Sequence, residues 1–467
     1  MRQVSRRAVV AAAVGSVLLT GCTSSIDGTA NPPVTDATAD QFPITGATDN
    51  EVDRLARNAF VDLNAFWTEV YPQFFDEEFL PLQGPYSSVD TDDIDYSAYP
   101  SDVGIGCEEY PVDPAAVEMN AFYHYGCDVV AYDRPFIAGQ MEQFGPYINP
   151  AIMAHEFGHL LQGPDPAVSG RIGRYTDLTI YLETQADCLA GVFTQWVVAG
   201  NAEHTTVRVE DLDRVISGFV ELRDPVGLTD IDVEGAHGSG FDRASAFYEG
   251  YTEGVAACRD NYAEGERVFT VDEFTSQEDY DNEGNAPLAD LPDIIAGSLP
   301  VYYDSWVEDF EAPTLTTFDG TAPECGDMGA EDRDIGWCEA DNTVYVDETD
   351  VLLPAYEELG DFAVATAFGL PYAQAVRAHL GLPADDTTAT VCLTGAYTAA
   401  FFNGDFGNDE EGVTLSPGDV DEAIQFLLTY GQTESVLPNV DATGFELVGA
   451  FRAGFLEGPG AGPCGIQ

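Results

Sequence analysis

Lysine is absent from this sequence. All 17 positive side chains among its 467 residues are arginines, set against 82 acidic ones, for a formal net charge of −65. A surface of that sign repels phosphate backbones and anionic membranes, which removes nucleic acid from the partners to consider. No two cysteines form a C-x-x-C pair, which argues against a cysteine metal site, and no G-x-S-x-G marks a serine hydrolase. The apolar run from Ala8 to Leu19 is too short to span a bilayer. What is present is ample core material: 45% of residues are hydrophobic and 11% aromatic, in a chain long enough for two or more domains. The acidic excess speaks to solubility, salt tolerance or bound divalent cations and is silent on fold.

The first residues read as an address. Arg2, Arg6 and Arg7 precede the apolar run, and small residues follow it, the pattern of an export signal over 1–21. Leu19-Thr20-Gly21-Cys22 resembles the bacterial lipobox, which implies cleavage before Cys22, a lipid on its sulfur, and a chain held on the outer face of the cell membrane through that anchor alone. Ser5-Arg6-Arg7 resembles a twin-arginine signal, and the export route stays open. Residues 22–49, rich in Thr, Ala, Asp and Pro without apolar period, are expected to be a flexible tether.

The chain repeats itself. Cys188-Leu189, Gly191 and Thr194 recur 204 residues later as Cys392-Leu393, Gly395 and Thr398. At the same offset, seven of the fifteen residues from Gly240 to Gly254 are identical to those from Gly444 to Gly458. Cys127, Ala154 and Phe157-Gly158 recur as Cys338, Ala365 and Phe368-Gly369. The expected architecture is therefore mixed α+β: two tandem related domains over 50–262 and 288–467, each mainly helical with a small β-sheet, joined by an acidic linker over 263–287. With Cys22 set aside, each copy holds four cysteines in matching order. Of the three pairings open within each copy, the repeat favours Cys107–Cys127 with Cys188–Cys258, and Cys325–Cys338 with Cys392–Cys464.

One segment carries chemistry. From Asn149 to Pro164 the residues suit a helix, with Asn149 as N-cap, Pro150 in the first turn and Gly163-Pro164 as the stop. Within it, His155 and His159 lie four apart, on one face, where two imidazoles can hold one metal. Glu156 stands beside them as a base for a zinc-activated water. A second helix around Tyr181–Phe193 offers Glu183 and Asp187 one turn apart. The H-E-x-x-H motif with this downstream carboxylate pair resembles the gluzincins. That resemblance implies Glu183 as the third zinc ligand and Asp187 as the group orienting a histidine; Asp187 as ligand is the alternative, since other zincins use Asp.

Ala121-Phe122-Tyr123, Cys127-Asp128, Tyr132-Asp133, the histidine helix, Glu183 to Gly191, His237-Gly238-Ser239, Arg243 and Cys258 together resemble the bacterial neutral zinc metallopeptidase family over about 60–262. The resemblance implies a zincin-like fold, one Zn²⁺, a peptide or protein substrate, and a strand edge above the zinc helix for that substrate to pair with. Asp128-Val129-Val130-Ala131-Tyr132-Asp133 reads as a strand; Asp128 stands where the family has a tight Cys-Pro turn.

The second copy is an internal control. His155, Glu156 and His159 become Thr366, Ala367 and Leu370; Glu183 and Asp187 become Thr387 and Val391; His237 and Arg243 become Asp441 and Leu447. Scaffold residues persist while the chemistry vanishes, which makes the second copy degenerate and draws His237 into the candidate catalytic set, as donor to the oxyanion of a tetrahedral intermediate. His124, His204 and His379 lack ligand-spaced companions. Calcium is a minor candidate at Asp279–Gly284 and Asp90–Asp95, where a solvated linker is the competing reading. The functional expectation is a lipid-anchored zinc metallopeptidase; the alternative is a non-catalytic surface lipoprotein that acts as a binding platform.

Overall fold

The computed structural model describes residues 35–163, 170–172, 178–227, 236–262, 267–404, 415–437 and 440–466. The export signal, the lipobox, the start of the tether, and most of the loop between Gln162 and Tyr181 lie outside the described residues.

The chain is mixed α+β. Helix α1 (Glu51–Phe75) leads to strands β1 (Tyr86–Val89), β2 (Ala121–His124) and β3 (Val129–Asp133), then to helices α2 (Arg134–Phe144), α3 (Ile148–Gln162), α4 (Thr179–Val198), α5 (Leu212–Glu221), α6 (Gly240–Glu253) and α7 (Val255–Asp260). After a short α8 (Gln277–Asp281) the order returns. It runs through α9 (Leu291–Asp304), β4 (Thr314–Phe318), α10 (Asp327–Glu331), β5 (Ile335–Cys338), β6 (Thr343–Asp347) and α11 (Leu353–Glu358). It closes with α12 (Asp361–His379), α13 (Thr387–Phe402), α14 (Asp419–Tyr430) and α15 (Gly444–Glu457).

Both halves build the same small sheet. The strand orders are β1-β3-β2 and β4-β6-β5, with the middle strand parallel to the first and antiparallel to the other. Val129–Asp133 is buried throughout and paired on both sides, as its near-continuous apolar run requires. The strand edge that borders the histidine helix is that of β2, which pairs with β3 alone among the described strands.

The repeated glycines have a packing reason. A Cβ on Gly191 would overlap the Phe247 carbonyl, and one on Gly250 the Cys188 carbonyl, so α4 and α6 cross with backbones in contact. Gly395 and Gly454 play the same parts between α13 and α15. Four disulfides close in the arrangement the repeat favours, Cys107–Cys127, Cys188–Cys258, Cys325–Cys338 and Cys392–Cys464.

The halves are not insulated from each other. One apolar cluster runs from Ile44 to Cys464, and Phe241 lies 4.8 Å from Phe455 and 6.1 Å from Phe451, ring to ring. Helix N-termini are capped across the divide. Asp421 of α14 accepts from Gly240 N (3.0 Å) and Phe241 N (2.7 Å) at the start of α6, while Asp213 of α5 accepts from Phe445 N (2.7 Å) at the start of α15. Each half thus satisfies orphan donors of the other.

Two connecting segments are more structured than their composition suggests. In the tether expected over 22–49, residues 35–49 are packed: Ala37 and Ile44 are buried, Phe42 lies 4.9 Å from the Tyr86 ring, and Thr45 pairs with β1. In the linker expected over 263–287, Arg267 pairs with buried Glu249 at 2.7 Å, and Thr270 N donates to Asp242 at 3.0 Å. Burial of a few apolar and paired side chains decides both cases, and average composition hides it.

Candidate metal centre

Helix α3 begins two residues earlier than its signals suggest. Tyr147 occupies the N-cap, and Asn149 is inside the first turn, buried, where its amide donates to Val52 O of α1 at 3.0 Å. Gly163 ends the helix with φ 65°. Helix α4 is buried along most of its length, and Gly158 lets α3 approach it so closely that a Cβ there would sit 2.7 Å from Ala186 Cα. This contact sets the distance between the histidines on one helix and the carboxylates on the other.

Three ligand atoms converge. His155 Nε2 and Glu183 Oε2 are 3.1 Å apart, His159 Nε2 and Glu183 Oε2 3.2 Å, and the two Nε2 atoms 3.1 Å. Three lone-pair atoms this close need a shared proton or a cation between them. A tetrahedral zinc with bonds of about 2.0–2.1 Å spaces its ligands about 3.3–3.4 Å apart, so the donor set and its spacing fit zinc.

Outer contacts fix both histidines. Asp187, fully buried, holds His155 Nδ1 with Oδ1 at 2.6 Å, and Arg243 grips both of its oxygens at 2.9 Å. Asp187 therefore sits behind His155 and outside the ligand triangle, which removes it as the alternative third ligand. Gln162 Oε1 lies 3.0 Å from His159 Nδ1 and is itself held by Gln162 Nε2 donating to Leu182 O at 2.7 Å.

Electrostatics follow from this nesting. Burial opposes charge on His155, but Asp187 and Glu183 prevail and push it up to about 10. Burial opposes charge on Glu183 as well, yet the two imidazoles hold it well below the usual carboxylate range. Glu156 is the exception: burial raises it above the ordinary value, against the pull of both histidines and of the Tyr123 backbone N–H. A buried carboxylate with raised proton affinity is suited to accept a proton.

The centre borders a cleft of ≈ 570 Å³ lined by Ala121, Phe122 and Tyr123 of the β2 edge, by Glu156, and by His237. His237 is half-exposed, with Nε2 3.7 Å from Glu183 Oε2 and Nδ1 3.3 Å from Asp224 Oδ1. Asp224 also accepts from His237 N (2.6 Å) and Gly238 N (2.8 Å), and so holds the whole turn at the rim. Asp224, Gln162 and the bidentate grip of Arg243 on Asp187 are parts that sequence reasoning did not assign. Arg243 carried a signal, since it disappears in the second half with the rest of the chemistry.

At the corresponding place in the second half, Thr366, Ala367, Leu370, Val391 and Leu447 are buried, and Thr366 turns its hydroxyl onto Phe362 O at 2.9 Å. Apolar packing has taken the place of the ligand set. His204 and His379 bond to backbone carbonyls, and neither they nor His124 join a ligand-spaced group among the described residues. The calcium candidates do not converge either. Asp279 lies in α8 and accepts from Thr275 N (2.8 Å), Asp90 pairs with Arg134 (3.2 Å), and Asp95 bonds Ser97.

No family model, curated protein or solved structure matches this chain. The class of the centre therefore rests on its own geometry: two imidazoles, each held from behind, and one carboxylate, at the wall of an open cleft.

Proposed function

We propose that this chain is a zinc-dependent metallopeptidase, anchored on the outer face of the membrane through a lipid on Cys22. The observation that carries the reading is the convergence of His155, His159 and Glu183 beside a buried carboxylate, Glu156, in a cleft walled by the edge strand β2. His155, His159 and Glu183 would hold the zinc. When bound, zinc supplies Lewis acidity, which makes water a competent nucleophile near neutral pH.

The chain's own groups do the rest. The outer edge of β2 pairs with an extended peptide and lays its carbonyl along the cleft. Glu156 takes the proton of the attacking water and delivers it to the leaving amine. His237, held through Asp224, donates to the oxygen that gains charge. Asp187 and Arg243 keep His155 in the tautomer that leaves Nε2 free. A purely structural zinc site would have no use for Glu156, which weighs against the binding-platform reading.

The test is Glu156→Gln in the full chain. Metal content should stay at one zinc per chain, while cleavage of an unfolded substrate such as casein falls by at least about 10²-fold. Undiminished hydrolysis, or a wild-type chain that takes up no zinc, ends this reading.

A further inference from the structure

A second group of ligands lies in the other half, away from the zinc candidate. Asp361 opens α12, and Asp419 and Glu422 stand in the first turn of α14; one carboxylate oxygen from each lies within 4.8 Å of the others. One oxygen of each is already placed by a backbone N–H: Asp361 Oδ2 by Ala286, Asp419 Oδ2 by Ser416 and Glu422 Oε2 by Phe362, all at 2.8 Å. The other oxygens of the two aspartates are stranded. Asp361 Oδ1 and Asp419 Oδ1 are shut off from solvent and have no hydrogen-bond partner among the described residues, and Asp419 as a whole is only 5% exposed. Nearby Arg223 is committed to Asp421 at 2.5 Å.

Three carboxylates sharing a buried corner repel one another, and a buried oxygen without a donor costs about 1–3 kcal/mol or more. Backbone N–H groups fix the three side chains so that they cannot turn away. The corner adjoins a cavity of ≈ 530 Å³, also lined by Asp279, Asn282 and Asn285, with room for water to complete a coordination shell. A donor set made only of oxygen, without imidazole or thiolate, suits a hard divalent cation and discriminates against zinc.

We propose that Asp361, Asp419 and Glu422 form a calcium-class cation site that ties α12 to α14. Its occupancy joins the start of one helix to the start of the other through the ion, where the bare chain has one backbone hydrogen bond, Phe362 N to Glu422, set against the mutual repulsion of three carboxylates. The site is independent of the peptidase reading, because its residues belong to the half without a zinc centre.

The experiment is calcium titration of the full chain, followed by calorimetry and by thermal unfolding. Calcium alone should bind at one site with a Kd of about 10⁻³ M or tighter and raise the unfolding temperature. Asp419→Asn should weaken that binding by at least about tenfold and abolish the thermal shift. Terbium gives a readout on the wild-type chain should the variant fail to fold: Tyr397 lines the same cavity and should sensitise its emission, with calcium competing it away. Two results overturn the proposal. One is a wild-type chain that neither binds calcium nor is stabilised by it at millimolar concentration. The other is Asp419→Asn binding calcium as tightly as the wild type. If the first comes with a large gain in stability for Asp419→Asn, the corner is a set of carboxyls that share protons and holds no ion.

Discussion

Asp421 is a contact through which the second half caps a helix of the half that carries the candidate metal centre. The substitution Asp421→Ala removes the acceptor of Gly240 N and Phe241 N at the start of α6, and with it the buried partner of Arg223. Loss of a helix cap costs about 1–2 kcal/mol. Breaking a buried ion pair costs about 3–5 kcal/mol, toward the low end here because the Arg223 side chain is 24% exposed and can rehydrate. The two losses share one residue and overlap, so the expected destabilisation is about 3–4 kcal/mol. Asp421→Asn keeps an acceptor for the helix and should lose about half of that. Asp213→Ala, at the mirrored position but half-buried and without a buried ion pair, should cost about 1–2 kcal/mol through the lost cap and an exposed bond from Gln432. The assay is denaturant unfolding of the three variants, with zinc retention against a chelator measured alongside. Because α6 carries Arg243, which grips Asp187, Asp421→Ala should also release zinc more readily, whereas Asp213→Ala should not. An Asp421→Ala chain within about 0.5 kcal/mol of wild type would refute the idea that the halves stabilise each other by exchanged caps.

Asp187→Asn should weaken zinc binding by about 10–100-fold, read by chelator competition, and should also lower stability, because buried Arg243 loses its carboxylate. Gly250→Ala drives a methyl into the Cys188 carbonyl and should cost about 1–3 kcal/mol in urea unfolding, with Gly454→Ala behaving alike in the other half. Burial, with Asp421 nearby and against the pull of Arg267 and of the Thr270 and Ser239 backbone N–H groups, pushes Asp242 up to about 6 from an ordinary 3.8. The folded chain therefore holds this proton more tightly than the unfolded chain. The contribution of Asp242 to stability is greatest below about pH 4 and is lost as pH rises through 6, a difference of about 3 kcal/mol. Urea unfolding between pH 4 and 7 should show that fall, and Asp242→Asn should flatten it.

What could be read from the residues alone was whatever depends on short spacing or on repetition. Four residues separate His155 from His159, and helical periodicity puts both on one face without reference to the rest of the chain. The repeat marked Gly191, Gly250 and the cysteines as scaffold, and exposed His155, Glu156 and Glu183 as dispensable to it. Where the reading erred, a longer-range contact had overruled a local signal. Asn149 looks like a cap but is drawn inward to Val52 O, and residues 35–49 look like a tether in composition but pack against α1 and β1.

Linear order cannot rank Glu183 against Asp187, because each lies one turn from the other on the same helix. The choice is made by the angle at which α4 crosses α3, which points Glu183 at both Nε2 atoms and leaves Asp187 behind His155. The same holds for Asp224 beneath His237, for Asp421 at a helix 180 residues away, and for the meeting of Asp361 with Asp419 and Glu422. Local periodicity and duplication were written into the order of residues. Which distant side chains share a buried corner was settled by how the helices packed, since burial and close approach are properties of the assembled core and not of any stretch of chain.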